Sequence, residues 1–215
     1  MWTPASVHHA ILKSFVEHGH APSLPADADA ALHELAAQHG VVLHPGTSSI
    51  WIAHPFSASP TAVWVEGRER GWWAPCMWGA LGVSVLAAPT ATIHARYGGE
   101  AEPAAITVDN GRVDSSAVVH FSMPPRDAWN NVVHWCSTVL PFHAATDVDD
   151  WATRHALPRG EVVEIGQVLE LARAWYGGHL REDWRKHTTR EAQDIFTRVG
   201  LAGPYWQLPD LDGRF

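Results

Sequence analysis

The strongest constraint on this chain is an unbroken run of apolar or small residues from Met77 to Ala88. A helix without a polar face is stable only when the rest of the protein surrounds it. Two tryptophans, Pro75 and Cys76 come directly before the run. The first turn of a helix tolerates a proline, because its missing N–H would be unpaired there anyway. The sequence therefore predicts a buried helix with Pro75 and Cys76 in its first turn.

Cys76 has two interpretations at this position. The first turn of a helix has free N–H groups and the positive end of the helix dipole, and both favour an anion. A thiol placed there has a lowered pKa and is partly thiolate near neutral pH, so it is reactive or able to bind a metal. Alternatively, Cys76 is a small buried hydrophobe, which is the usual role of a free cysteine.

Composition disfavours several classes of function. The chain has 215 residues, enough for one domain or for a main domain with a small appendage, and its formal net charge is −8. An acidic protein is a poor partner for nucleic acid or for an anionic membrane, and the longest apolar run is too short to span a bilayer. Two cysteines are too few for a disulfide framework and no secretory signal is visible, so we expect a cytoplasmic location.

The N-terminal part of the chain has the pattern of a winged-helix-like module. Amphipathic patterns predict helices over residues 5–18 and 26–38, and a β-hairpin follows over residues 41–52. A DNA-binding version would have basic residues on its second or third helix, whereas Lys13 is the one lysine or arginine in residues 1–60. We therefore expect a module, residues 1–60, that does not bind DNA.

Residues 61–215 are predicted to form a core domain with a central antiparallel sheet and C-terminal helices. Closely spaced strand patterns are separated by short turns, which is typical of antiparallel pairing. The predicted strands lie within residues 61–73, 90–96, 104–108 and 116–121; a short helix or turn lies at 127–129, and helices cover residues 147–155, 165–176 and 188–199. The predicted fold class is therefore α+β.

The second cysteine, Cys136, lies among β-branched, apolar and aromatic residues that predict a strand or a buried loop. Sixty residues separate it from Cys76, so no short metal-finger spacing exists. If the fold brings the two thiols together, three interpretations compete: a disulfide, which the cytoplasm disfavours, two inert core cysteines, or a dithiol pair for a soft metal. Thiolates select soft ions such as mercury, copper(I) or zinc.

Several segments of the chain resemble the organomercurial (alkylmercury) lyase family. The resemblance covers nearly the whole sequence, and the positions of Cys76 and Cys136 are its most specific part. The segments that carry it are residues 50–57, 73–82, 134–138, 150–151 and 171–176, after the winged-helix-like part.

The resemblance implies a site of two cysteines and one aspartate that breaks a carbon–mercury bond. Cys76 matches the first family cysteine and Cys136 the second, so both are the implied catalytic residues and the implied mercury ligands. The two thiolates would bind mercury and weaken the Hg–C bond, while a carboxyl group would relay a proton to the departing carbon. The implied partner is a small-molecule organomercurial or Hg(II), with a thiol reductant and no required cofactor.

The chain departs from the family pattern at the acid. The family's aspartate lies three residues after the first cysteine, and that position is Gly79 here. Glycine offers no proton, and we expect it to open space beside Cys76 for a bulkier ligand or a water. Candidate substitutes for the acid are Asp127, His134 and His143, near the second cysteine segment or its lead-in, although the sequence favours a surface or hydrogen-bonded polar residue for each and selects none of them.

Three functions are therefore open. The first is an organomercurial lyase-like protein that uses Cys76 and Cys136. The second is a thiol-based binding protein that holds a soft metal or a small thiophilic ligand without turnover, which Gly79 favours. The third is a family pocket that transforms another small molecule by cysteine nucleophilic chemistry. The tryptophans near both cysteines are either ordinary core or an aromatic wall for an apolar ligand.

Overall fold

The structure of the protein, a computed structural model, describes residues 1–128 and 131–209. In these ranges the helices are α1 (Pro4–His18), α2 (Asp29–Ala37), α3 (Met77–Leu86), α4 (Pro125–Ala128), α5 (Val132–Ser137), α6 (Ala145–His155), α7 (Ile165–Tyr176) and α8 (Thr189–Arg198). The strands are β1 (Val42–Leu43), β2 (Ile50–Ala53), β3 (Phe56–Ser57), β4 (Val63–Gly67), β5 (Gly71–Ala74), β6 (Ala91–Arg96), β7 (Pro103–Asp109), β8 (Arg112–Val113), β9 (Val118–Phe121), β10 (Leu140–Phe142) and β11 (Glu161–Glu164). Residue 129 of the predicted short helix or turn, and residues 210–215 of the predicted core domain, lie outside the described residues.

The predicted helices are confirmed where the sequence marks their ends. The Thr3 side chain accepts a hydrogen bond from the Ser6 N–H at the start of α1, and Gly19 ends this helix with a φ of 82°, a conformation that glycine adopts without strain. Helix α7 has the bounds that its apolar periodicity predicts. Thr188 caps α8 in a reciprocal pair with Glu191.

The central sheet is antiparallel, as predicted. Its strand order is β1-β2-β3-β5-β4-β6-β7-β8, and a second sheet has the order β10-β9-β11. Every strand pair within the described ranges is antiparallel; Trp64 of β4, for example, pairs with Trp73 of β5 and with His94 of β6. Asn110 and Gly111, with φ of 47° and 72°, form the tight turn between β7 and β8. The mixed α and β composition of the fold is therefore as the sequence indicates.

Helix α1 packs against this sheet. The ring of Phe15 on α1 stacks on Phe56 of β3 at a centroid distance of 5.0 Å, and the indole N–H of Trp72 on β5 donates to the Phe15 carbonyl at 2.6 Å. Strands β1 to β3 come before residue 60, and they lie in the same sheet as β4 and β5. A winged-helix arrangement of residues 1–60 is not confirmed, and the division of the chain at residue 60 stays a prediction.

Helix α3 is buried, as predicted, and it lies directly on α7. A Cβ atom at Gly82 would be 2.5 Å from the Tyr176 ring and 2.7 Å from the Cβ of Pro55, so only glycine allows this approach. Met77 and Leu81 on the same helix have no exposed surface. No described helix, α3 included, has the length and apolarity needed to cross a membrane.

The segment around Cys136 differs from the prediction. It is not a strand or a loop but the short helix α5, and the neighbouring strand β10 begins only at Leu140. The Asn131 side chain accepts a hydrogen bond from the His134 N–H at 3.0 Å, and the Thr138 hydroxyl donates to the Trp135 carbonyl at 2.9 Å. These side-chain hydrogen bonds pair backbone groups at both ends of this short helix. Their effect outweighs the β propensity of its two valines.

Candidate dithiol site

Cys76 is the N-cap of α3. Its backbone is extended, with φ of −166° and ψ of 179°, and its sulfur accepts a hydrogen bond from the Gly79 N–H at 3.3 Å. Pro75 and Cys76 therefore precede the first helical residue, and the prediction that both lie in the first helical turn is wrong. The reason is that the Cys76 side chain itself pairs a free N–H of the helix start, a role usually taken by serine or aspartate.

The structure brings Cys136 to Cys76. The Met77 N–H at the start of α3 donates to the carbonyl of Val139, which follows α5, at 3.2 Å. This contact joins the two elements that carry the cysteines. Both side chains are 2% exposed, both thiols are free, and a hydrogen bond links them. The prediction that two distant thiols share one site thus agrees with the geometry.

The two thiols differ in acidity. Burial raises the pKa of the Cys76 thiol, but hydrogen bonds from Cys136 and from the N–H groups of Gly79 and Trp78 together lower this pKa below its ordinary value. The pKa of Cys136 is raised well above its ordinary value, first because its proton is shared with Cys76, and then because of burial and of the charge on Cys76. Cys76 is therefore the more acidic thiol of the pair, and Cys136 is the one that keeps its proton more strongly.

A histidine that the sequence did not single out completes this pair. The Nε2 atom of His54 lies 3.5 Å from the sulfur of Cys136. His54 stands in the two-residue link between β2 and β3, and it is half-buried. Burial, followed by the positive charge of Lys186, lowers the pKa of His54 to about 4, so the ring is neutral near pH 7. The available signal was its place within residues 50–57, which carry the family resemblance.

The cysteines and His54 line a cavity of about 90 Å³. Four tryptophans and one tyrosine line it, which favours the interpretation of the tryptophans as a wall for an apolar ligand. The aromatic residues of the wall are Trp78, Trp135, Trp175, Tyr176 and Trp184, and its further histidines are His8, His39, His179 and His187. The Trp78 and Trp135 rings meet edge-on at 5.8 Å, and the Trp78 indole N–H is buried without an acceptor among the described residues.

Burial favours the neutral form of three further side chains that line this cavity. It lowers the pKa of His8 to about 3, with a smaller effect from His9, and it lowers the pKa of His179 well below its ordinary value, with smaller effects from neighbouring histidines. Burial also raises the pKa of Tyr176, and the charges of the two cysteines raise this pKa further. The described residues that line the cavity include no aspartate or glutamate. Cys76, whose pKa is lowered, is therefore the group that most readily becomes an anion among the described residues that line the cavity and have shifted pKa values.

Comparison with known proteins identifies the family. The family model described as alkylmercury lyase matches residues 56–177, which is more than half of the chain. The chain belongs to the alkylmercury lyase family. The matched segment contains both cysteines of the cavity and the helix α7 that packs beside them.

The fold is also that of a solved family structure. The crystal structure of the mercury-bound form of MerB2 superposes with a TM-score of 0.64 at 21% sequence identity, over 82% of this chain and 89% of that one. No curated protein matches the chain.

This member of the alkylmercury lyase family has no room at the position where the resemblance puts the family's acid. A Cβ atom at Gly79 would lie 2.9 Å from Cδ of Pro75 and 3.2 Å from the carbonyl oxygen of Pro55. The expectation that Gly79 opens space beside Cys76 is therefore wrong. Two prolines occupy that space, and one of them directly follows His54 in the chain.

The three predicted substitutes for the lyase acid do not reach the cavity. Asp127, His134 and His143 are all exposed, and none is among the described residues that line it. His143 instead pairs with Glu102 at 2.9 Å and stacks on Tyr97 at 3.6 Å. Sequence proximity to Cys136 was misleading because α5 turns that cysteine inward while it leaves His134 on the surface.

Proposed function

We propose that this protein binds an organomercurial between Cys76 and Cys136 and cleaves its carbon–mercury bond by protonolysis. The observation that carries the proposal is the pair of free, buried thiols that line one cavity. A thiolate is the nucleophile for a soft metal, and a neighbouring thiol supplies both a second sulfur and a proton. Membership of the alkylmercury lyase family supports the same reaction.

The first step assigns different tasks to the two sulfurs. The Cys76 thiolate attacks mercury and displaces the small thiol that carries the substrate. Cys136 then loses its proton and forms the second sulfur–mercury bond. Two sulfur ligands add electron density to mercury, which weakens the Hg–C bond, and protonation of carbon completes the cleavage. Cys136 can release its proton at this stage because binding to mercury stabilises the thiolate.

The cavity suits a small apolar substrate. Its volume of about 90 Å³ and its aromatic walls fit a short alkyl group or one aryl ring attached to mercury. Within the described ranges no group of three or more histidine, cysteine, aspartate or glutamate side chains is arranged to hold a metal ion, so the proposed mercury ligands are the two sulfurs alone. The MerB2 crystal structure is of a mercury-bound form, which supports mercury as the ligand here.

The proposed reaction needs no resident cofactor. It needs an external thiol to keep both cysteines reduced and to carry Hg(II) away from the product complex. A reducing, cytoplasmic location is proposed for the same reason, since an oxidising compartment would convert the adjacent thiols to a disulfide.

A second function, thiol-based binding without turnover, is favoured by one observation. Gly79 stands where the family resemblance puts the acid, and the described cavity residues include no carboxyl group. Such a protein would hold a soft metal or a small thiophilic ligand and would not release a hydrocarbon.

Titration and product analysis distinguish the two functions. The reduced protein is titrated with Hg(II), and a separate sample is incubated with phenylmercury and excess thiol while benzene is measured in the headspace. Lyase function predicts binding of one equivalent of Hg(II) and continued benzene release. Binding of Hg(II) with no benzene after prolonged incubation would reject lyase function and support the binding protein.

Matched variants identify the sulfurs as the site. Cys76→Ser and Cys136→Ser are each expected to lose tight Hg(II) binding and benzene release, because one sulfur remains. His134→Gln is the control, since His134 is exposed on the same helix as Cys136 and should leave both measurements unchanged. Full benzene release by either serine variant would contradict the proposed use of both thiols.

A further inference from the structure

We propose that Trp78 gives the cavity a preference for organomercurials whose organic group carries a neutral oxygen acceptor, such as an ether or a carbonyl. The indole N–H of Trp78 donates to that oxygen while the mercury is held by sulfur. The inference rests on the capture of mercury by Cys76 and Cys136 in the proposed function, and it does not need cleavage of the carbon–mercury bond.

The first observation is an indole N–H without a partner. Trp78 is 7% exposed, its Nε1 atom is buried, and this atom has no hydrogen-bond partner among the described residues. Buried polar groups are nearly always hydrogen-bonded, because an unpaired one has lost its bonds to water without a replacement. The nitrogen of an indole is a donor and never an acceptor. The partner that is missing is therefore a hydrogen-bond acceptor.

The second observation is where such unpaired atoms occur. In the part of the chain that the structure describes, three buried side-chain nitrogens lack a partner: Nδ1 of His8, Nε1 of Trp78 and Nδ1 of His120. Two of these residues, His8 and Trp78, line the cavity of the cysteines. The unpaired nitrogens are thus concentrated where a ligand binds. A neutral imidazole nitrogen donates or accepts according to its tautomer, so Trp78 is the residue that defines the chemistry of the ligand.

The surroundings of Trp78 favour a neutral acceptor over an anion. Its ring meets Trp135 edge-on at 5.8 Å and Trp175 edge-on at 5.3 Å, and the ring of Tyr176 is 5.6 Å away. Aromatic rings do not replace the water around a full charge, so burying a carboxylate among them is costly. An ether or carbonyl oxygen loses less on leaving water and still accepts the indole N–H.

Trp78 also stands close to the proposed mercury ligands. It is the second residue of α3, directly after the N-cap region, and its backbone N–H donates to the Cys76 sulfur. An oxygen that reaches the indole therefore lies only a few bonds from mercury, on a short chain or on one ring. A cavity of about 90 Å³ suits an organic group of that size.

The test compares two organomercurials that differ at one position. 3-Methoxypropylmercury has an ether oxygen where n-pentylmercury has a methylene group. Both are bound to the Cys136→Ser protein, in which Cys76 alone holds the mercury and the organic group is expected to stay on it. The measured quantity is the equilibrium constant for transfer of each compound from a small carrier thiol to the protein.

The ratio of the two constants, ether over alkyl, isolates the hydrogen bond. Differences in water solubility and carrier affinity cancel when this ratio is compared between two proteins. Adding Trp78→Phe is expected to lower the ratio by about 10-fold, because the oxygen loses its donor. Trp135→Phe is the matched control in the same cavity. Its indole N–H already donates to the Met123 carbonyl at 2.9 Å, so its removal should leave the ratio unchanged.

Two outcomes would overturn the proposal. An unchanged ratio in Trp78→Phe would mean that a bound water or a neighbouring ring, and not the ligand, accepts this N–H. An equal fall in Trp135→Phe would mean that the shape of the cavity decides the ratio. Neither outcome affects the lyase function, which is judged by hydrocarbon release from the intact protein. A ratio that falls only in Trp78→Phe, without hydrocarbon release by the intact protein, would reject the lyase function and support this preference.

Nitrogen-15 NMR of labelled tryptophans covers the case in which Trp78→Phe fails to fold. It is applied to the Cys136→Ser protein, with the Trp78 indole signal assigned through the backbone. We expect the indole proton of Trp78 to move downfield when 3-methoxypropylmercury binds and to move less with n-pentylmercury. The same position with both compounds would overturn the proposal.

Discussion

The sulfur of Cys76 accepts a hydrogen bond from the backbone N–H of Gly79 at 3.3 Å. One atom thus caps a helix and belongs to the more acidic of the two thiols in the cavity. The partner residue is also the position at which this chain lacks the family's acid. The same turn of α3 therefore stabilises the thiolate and leaves the proton to be supplied from another element.

The first prediction concerns the acidity of Cys76. Replacing Cys136 by alanine removes the thiol that donates to Cys76, while burial and the backbone donors stay. The pKa of Cys76 should therefore rise. The pH dependence of thiolate ultraviolet absorbance, or of the alkylation rate, measures this shift. Ser137→Ala is the matched control, since Ser137 is exposed beside Cys136. An unchanged Cys76 pKa in Cys136→Ala would mean that the two thiols are not coupled.

The second prediction concerns the missing aspartate. Gly79→Asp should destabilise the protein by about 1–3 kcal/mol, because the added Cβ meets Pro75 and the Pro55 carbonyl. Gly79→Ala, which adds the Cβ alone, should show a similar loss. Gly166→Ala, also in a helix, should instead stabilise the protein by about 0.4–1 kcal/mol, because nothing lies within 4 Å of its new Cβ. Chemical denaturation measures all three, and a fully stable Gly79→Asp protein that gains activity would contradict the packing argument.

The third prediction is loss of stability in mild acid. His8, His54 and His179 have folded-state pKa values below the ordinary 6.5, to about 3 and about 4 for the first two. Between those values and 6.5 the unfolded chain binds protons that the folded protein does not. The contribution of these histidines to the free energy of unfolding is therefore fully present above about pH 6.5. It decreases as the pH falls toward 4, by up to about 1.4 kcal/mol per pH unit for each histidine.

Unfolding free energies measured across that pH range test how steeply the stability falls with pH. His8→Phe keeps a ring against Trp184 and removes one titrating group, so its slope should be shallower than that of the wild type. His143→Gln, at an exposed position, should leave the slope unchanged. A stability that is constant from neutral pH to pH 4 would show that these histidines are protonated in the folded protein.

The sequence predicts the parts of this fold that local signals determine. Apolar periodicity gives α7 its bounds, and the Thr188–Glu191 pair marks the start of α8. Cys136 was misplaced because Val132 and Val133 favour a strand locally, whereas the Asn131 cap favours the helix. The presence of two candidate thiols is readable from the sequence, and the family resemblance indicates that they act together.

The rest of the site depends on long-range contacts that no local pattern contains. The hydrogen bond from Met77 to Val139 joins the two cysteine segments. The Pro55 carbonyl, in the link between β2 and β3, lies close to the Gly79 position of α3. His54 is missed for the same reason, because the contact of the β2–β3 link with α3 brings its Nε2 atom to 3.5 Å from the Cys136 sulfur. The exposed histidines near Cys136 in sequence were the wrong candidates.

The most direct test of the account is the mass of the protein after a single turnover with phenylmercury, measured under non-denaturing conditions and paired with a count of free thiols. We predict one mercury per chain without its phenyl group, no titratable thiol among the two cysteines, and one equivalent of benzene. A protein that retains the intact phenylmercury group on one sulfur, with the other thiol still free, would contradict the proposed capture and cleavage between Cys76 and Cys136.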